Sequence, residues 1–152
     1  MKNKPQPVRG HFFPLPAELF LLDLSANEIA VYAYLMSIEN RRTYQCWAIY
    51  ATIGRAVGLS ENTVRKNVRL LEEKQLIHTE RTKVKTRDGQ THNGCLLYTI
   101  RPIQDAVDHY TYKQYSLFDQ ERAAQEAAQR IADYNRQHPE KPVCATIGKE
   151  AG

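Results

Sequence analysis

The chain has 152 residues, 42% of them apolar and 25% charged, and a formal net charge of +4. That length buries one ordinary core with room for an arm or tail, and it excludes two large domains. Apolar and charged fractions of this size belong to folded chains, and the mild positive charge permits nucleic-acid binding without demanding it, so the placement of the cations decides.

No apolar run approaches the roughly eighteen residues that cross a bilayer, and the opening MKNKPQPVRG lacks the apolar segment of a secretory signal. A cytoplasmic protein without a membrane partner is expected. Cys46, Cys95 and Cys144 are an odd, widely separated set, which predicts reduced thiols rather than a disulfide framework. His92 and Cys95 stand close in sequence, yet no second ligand pair follows, so no metal is expected. Nor is there a grouping for nucleophilic or metal-carboxylate catalysis, and IGKE near the end lacks the flanking glycine and hydroxyl residue of a phosphate-binding loop. The expectation is a protein with no catalytic residues and no cofactor.

Residues 1–11 read as a flexible basic arm. In FFPLPAELFLLDL, prolines 14 and 16 predict an extended stretch giving way to a short helix from Pro16. LSANEIAVYAYLMSIE then offers Ser25 as N-cap with Glu28 three residues on, a capping box ahead of Ile29, Tyr32, Ala33 and Met36. NRRTYQCW breaks the helical pattern. AIYATIGRAVG resumes it as a short helix stopped by Gly58, and Ser60 caps the next helix, which runs to about Gln75. LIHTERTKVKT and CLLYTI flank RDGQTHNG with its two turn dipeptides, Asp88-Gly89 and Asn93-Gly94, and predict a two-stranded hairpin with a mobile tip. Pro102 starts a helix to about Tyr110, and a second, alanine-rich helix covers about Ser116 to Gln137, before Pro139.

Three helices followed by a hairpin give the winged helix-turn-helix plan, mainly α with a small β-hairpin and C-terminal helices. The implied division is a winged helix-turn-helix domain over 12–101, a helical extension over 102–138 and a flexible tail over 139–152. On a helical wheel of about 100° per residue, Val64, Val68 and Leu71 face the core while Asn62, Lys66 and Arg69 point away. Arg65 and Thr63 flank that polar face, and Ser60 opens its first turn. Such residues suit a DNA major groove: Asn pairs in two places with adenine, Arg with guanine, and Lys and Arg neutralise phosphates. Arg65 either holds a flanking phosphate or pairs with Glu61 or Glu72. On the hairpin, Lys83, Lys85 and Arg87 alternate with Val84 and Thr86, which puts all three on one side to grip the sugar-phosphate backbone or the adjacent minor groove. The opposing readings are a merely solvated helix face and an edge strand charged against aggregation.

TIGRAVGLSENTVRKNVRLLEEKQLI resembles the core of bacterial winged helix-turn-helix proteins, with a Ser-capped recognition helix leading into the first wing strand. The span FFPLPAELFLLDLSANEIAVYAYLMSIENRRTYQCWAIYATIG resembles helix-turn-helix domain proteins and replication-initiator A-type N-terminal domains of Gram-positive plasmids, phages and conjugative elements. The resemblance implies a double-stranded DNA partner, with Ser60, Asn62, Thr63, Lys66 and Arg69 toward groove or phosphate. It also implies a role in transcriptional regulation or replication control on a mobile element. Two positions depart from the pattern. Gly54 stands where relatives have Ala, which should weaken the second helix by about 1 kcal/mol. Gln75 stands where relatives have Gly, at a similar cost if the turn there needs positive φ.

Phe20, Tyr32, Tyr44 and Trp47 could offer base-stacking platforms, but core packing is the expected role. Leu117, Ala124, Ala127, Ala128, Ile131 and Tyr134 form a shallow stripe on the last helix. It could pair with a second copy as a homodimer, dock on its own domain, or engage a replication or transcription partner. A winged helix that has lost DNA binding and assembles through this helix is the competing reading.

Overall fold

The computed structural model describes residues 12–144, so the arm expected over 1–11 and the last residues of the tail lie outside the described part. In chain order it contains a 3-10 helix (Ala17–Leu21), α1 (Ala26–Ile38), β1 (Gln45–Ala48), α2 (Tyr50–Val57), α3 (Glu61–Glu73), β2 (Ile77–Lys85), β3 (Thr91–Ile100) and α4 (Ile103–Gln137). The chain divides into one unit ending at Tyr110 and a second beginning at Thr111.

The first unit is the winged helix-turn-helix expected from the sequence. Its core takes one stripe from each element: Leu19 and Leu22, then Val31, Tyr32 and Leu35 of α1, Ile53 of α2, Val64, Val68 and Leu71 of α3, and Tyr98 and Ile100 of β3. The first turns of α4 close it, with Ala106 buried and Ile103, Val107 and Tyr110 packed alongside. Ser25 caps α1 as expected: its hydroxyl accepts from Glu28 N and its own N–H donates to Glu28 Oε2 at 2.8 Å. Burial of Glu28 would by itself raise its pKa, but the Lys74 ammonium, 2.8 Å from Oε1, and the Ser25 hydrogen bonds outweigh it and hold the carboxyl below its usual range. Lys74 also donates to the Asp23 carbonyl. Through this pair the start of α1 is tied to the end of α3.

The sheet has three strands, not two, in the order β1-β3-β2, all antiparallel. β1 is too short for alternation to reveal it: only Cys46 and Ala48 turn inward. This strand corrects the expected place of the aromatics. Tyr32 is buried as expected, but Trp47 lies on the outer side of β1 at 58% exposure, Tyr44 is 57% exposed and Phe20 70%. The hairpin also differs in detail. Its turn spans Thr86 to Gln90, with Gly89 at φ 76°, while Asn93-Gly94 lies inside β3. Gly94 is needed there because a Cβ would run into Thr82 Oγ1 and Val84 Cγ2. A register shift between Arg81 and Lys83 marks a bulge.

Where two C-terminal helices were expected, α4 is continuous from Ile103 to Gln137. No Gly or Pro interrupts it, and TYKQY between the two predicted segments contains nothing that forbids a helix. In the second unit, Asn135 closes the helix end by exchanging two hydrogen bonds with the backbone of Val143, at 2.8 and 2.7 Å. Among the described residues no helix is long and apolar enough to cross a membrane.

Candidate nucleic-acid interface

The helix-turn-helix is built by α2, a tight turn and α3. Gly58 at φ 73° ends α2 in the left-handed region, and Leu59 N–H donates back to the Gly54 carbonyl at 2.9 Å. The expected weakness at Gly54 is corrected here. A Cβ at this position would collide with the Leu59 carbonyl oxygen, so glycine is what lets the turn close against α2. Ser60 then caps α3: its hydroxyl accepts from Thr63 N at 3.3 Å and lies 2.8 Å from the Thr63 hydroxyl. Both hydroxyls are thereby oriented at the helix start.

Val64, Val68 and Leu71 are all buried, which fixes the rotation of α3. The opposite side exposes Asn62, Arg65, Lys66 and Arg69, and these four, with Leu70 and Glu73, line one shallow depression of about 390 Å³. Thr63 is half-buried beside it. Arg65 pairs with neither Glu61 nor Glu72; its guanidinium lies 5.5 Å from the centre of the Tyr50 ring, at the start of α2. Glu72 turns away to accept from Thr79 N and Oγ1 of β2, both at 3.0 Å. Among the described residues Arg65, Lys66 and Arg69 form no ion pair, whereas Lys74 and Arg101 do.

The hairpin cations are not part of that depression. Lys83 and Lys85, both exposed, stand in β2 at the register positions of Asn93 and Thr91 and share a strand face. Arg87 does not continue their alternation, because β2 ends at Lys85 and Arg87 belongs to the turn. The bulge has a further effect. Inward positions run Ile77, Thr79 and then Thr82, so the phase changes and Lys83 falls on the outward side.

Tyr50 and Asn67 escaped sequence reasoning. Asn67 is buried within α3, its Nδ2 donating to the Thr63 carbonyl at 2.7 Å, so the only Asn of this helix offered to a ligand is Asn62. Its wheel position beside Val64 and Val68 carried that signal. Nothing local marked Tyr50, whose role arises from helix packing. Among the described residues no group of three or more His, Cys, Asp or Glu side chains gathers to hold a metal.

Fold and site together define a winged helix-turn-helix protein. Residues 22–77 match a family described as a helix-turn-helix domain, and this segment runs from the end of the 3-10 helix through α3 to the first residue of β2. Among solved structures, the chain is similar to a possible transcriptional regulator from Methanosarcina mazei Go1, at 19% identity over 71% of this chain and 80% of that one, with a TM-score of 0.45. It is also similar to the zinc-responsive MarR family member ZitR of Lactococcus lactis, at 17% identity over 78% and 76%, with a TM-score of 0.38. No curated protein matches the chain.

Proposed function

We propose that this protein binds double-stranded DNA without enzymatic activity, placing the exposed face of α3 in the major groove and the hairpin against the backbone. The observation that carries this reading is the convergence of Asn62, Arg65, Lys66 and Arg69 on one depression, with the three cations unpaired among the described residues. A solvated face kept only for solubility would more often carry compensating i,i+4 pairs, as α4 does between Arg122 and Glu126. Asn62 and Arg69 supply base-edge chemistry, Lys66 and Arg65 phosphate neutralisation, and Ser60 and Thr63 the capped helix start. Lys83, Lys85 and Arg87 would meet the flanking sugar-phosphate backbone.

The biological role is transcriptional regulation or replication control, and its setting on a mobile element rests on the resemblance of the segment from Phe12 to Gly54. Anisotropy of a labelled duplex across a salt series tests the binding. Log affinity should fall linearly with log salt, and Lys66→Ala with Arg69→Ala should make the slope shallower by about 1, from the lost phosphate contact of Lys66. Absence of binding at low salt, or an unchanged slope, would refute it and favour assembly through α4, where Tyr112, Tyr115 and Phe118 are exposed.

A further inference from the structure

Arg65 stands apart from the other cations of α3. Its guanidinium lies over the Tyr50 ring, 5.5 Å from the ring centre, within the distance at which an aromatic face attracts a cation. Among the described residues neither Lys66 nor Arg69 has such a ring. The platform is firm: Tyr50 opens α2, is half-buried and packs against the core cluster. The contact therefore spans both helices of the helix-turn-helix and holds the guanidinium at the α2 side of the interface.

What holds an arginine decides what it can still do. Arg101 meets the Asp105 carboxylate at 3.1 Å, and Arg122, Arg130 and Arg136 pair with carboxylates of α4, so their charge is compensated where they stand. The first turn of α2 has no acidic residue, and Arg65 forms no ion pair among the described residues. A ring covers only one face of the guanidinium plane. The N–H donors lie along its edge, in the fork that matches a phosphate, and the charge stays uncompensated. Arg65 is exposed, which leaves those donors to a ligand. An unrestrained arginine must be ordered when it binds, at a cost in side-chain entropy, and one already resting on a ring has given up part of that freedom beforehand.

We propose that Tyr50 is a positioning residue for DNA binding, holding Arg65 so that its guanidinium meets a backbone phosphate on the α2 side of the recognition helix. This rests on the DNA-binding reading and adds to it a residue that acts through another.

A double-mutant cycle on a labelled mixed-sequence duplex, read by anisotropy across a salt series, tests it. Arg65→Ala should make the salt slope shallower by about 1, the loss of one phosphate contact. Tyr50→Leu keeps an apolar side chain against the core but removes the ring, and should weaken binding by about two- to fivefold with the slope unchanged. In the Arg65→Ala background the same replacement should leave affinity unaltered, and Tyr50→Phe, which restores the ring, should restore the affinity. A merely structural role for Tyr50 would give the same loss in both backgrounds, and that result would overturn the proposal, as would an unchanged slope in Arg65→Ala. Should Tyr50→Leu fail to fold, the unaltered protein decides: the ring current should move the Arg65 Hδ resonances upfield with and without duplex, and unshifted resonances would overturn the proposal. A parent that binds no duplex at low salt refutes the DNA-binding reading and this one with it, whereas a binding parent whose variants are additive refutes this one alone.

Discussion

Replacing Gly54 by alanine opposes two effects of known sign. Helix propensity favours alanine in α2 by about 1 kcal/mol. Against this, the new Cβ would fall far inside the roughly 3.5 Å of ordinary contact with the Leu59 carbonyl oxygen, a backbone atom that cannot rotate aside. Overpacking of this kind costs about 1–3 kcal/mol. Opening the turn also stretches the Leu59 N–H to Gly54 carbonyl hydrogen bond, now 2.9 Å, which contributes about 1 kcal/mol. The balance is a loss of about 1–3 kcal/mol, so Gly54→Ala should lower the melting temperature by roughly 5–15 °C for a unit of this size. Thermal unfolding followed by circular dichroism, with urea titration for the free energy, would measure it. The same variant should weaken DNA binding, since the angle between α2 and α3 must open. Equal or higher stability would refute the close-approach argument and restore propensity as the deciding effect at this position.

Glu28→Gln removes the partner of Lys74 and should cost about 1–2 kcal/mol, reduced by the partial exposure of the lysine. Because the folded pKa of Glu28 lies below its unfolded value, its contribution is complete above the unfolded value and is lost as pH falls through the folded one. Glu39 acts oppositely: burial raises its pKa despite Arg41, so its ionisation opposes folding, and protonation at lower pH relieves that cost. Urea unfolding from about pH 6 to about pH 3 should therefore show a shallower loss of stability in Glu28→Gln than in the parent, and parallel curves would contradict the assignment. Ser60→Ala deletes the cap of α3 and should cost about 1 kcal/mol, while an unchanged urea midpoint would show that the Thr63 hydroxyl suffices alone. Burial, with the Glu39 charge nearby, pushes the Cys46 thiol up to about 11, whereas Cys95 and Cys144 are exposed. A thiol reagent on the native protein should label two cysteines quickly and the third only on unfolding; three fast reactions would place Cys46 outside the core.

Capping and periodicity are local, and they read correctly along α1 and α3. Ser25 with Glu28, and Ser60, announced two helix starts, and the spacing of Val64, Val68 and Leu71 fixed which side of α3 is buried. The polar side of the candidate interface followed from the same wheel. The positive φ suspected at Gln75 is present at 63°, held by Arg101 donating to its side chain. Positions whose environment comes from distant chain could not be read this way. β1 exists because Gln45–Ala48 pairs with Leu96–Thr99, more than forty residues away, and that pairing is what turns Trp47 outward. The bulge that re-aims Lys83 needs the register of two strands, and the collision that reserves position 54 for glycine needs the turn folded back on α2. The contact of Arg65 with Tyr50 escapes local pattern as well, since it joins α3 to the start of α2 across the turn. Short-range hydrogen bonding and the helical repeat thus set the element order and the exposed face of α3 from sequence alone. Strand pairing, backbone contact and the burial of a charge were decided by tertiary structure, because each depends on atoms that the sequence does not place side by side.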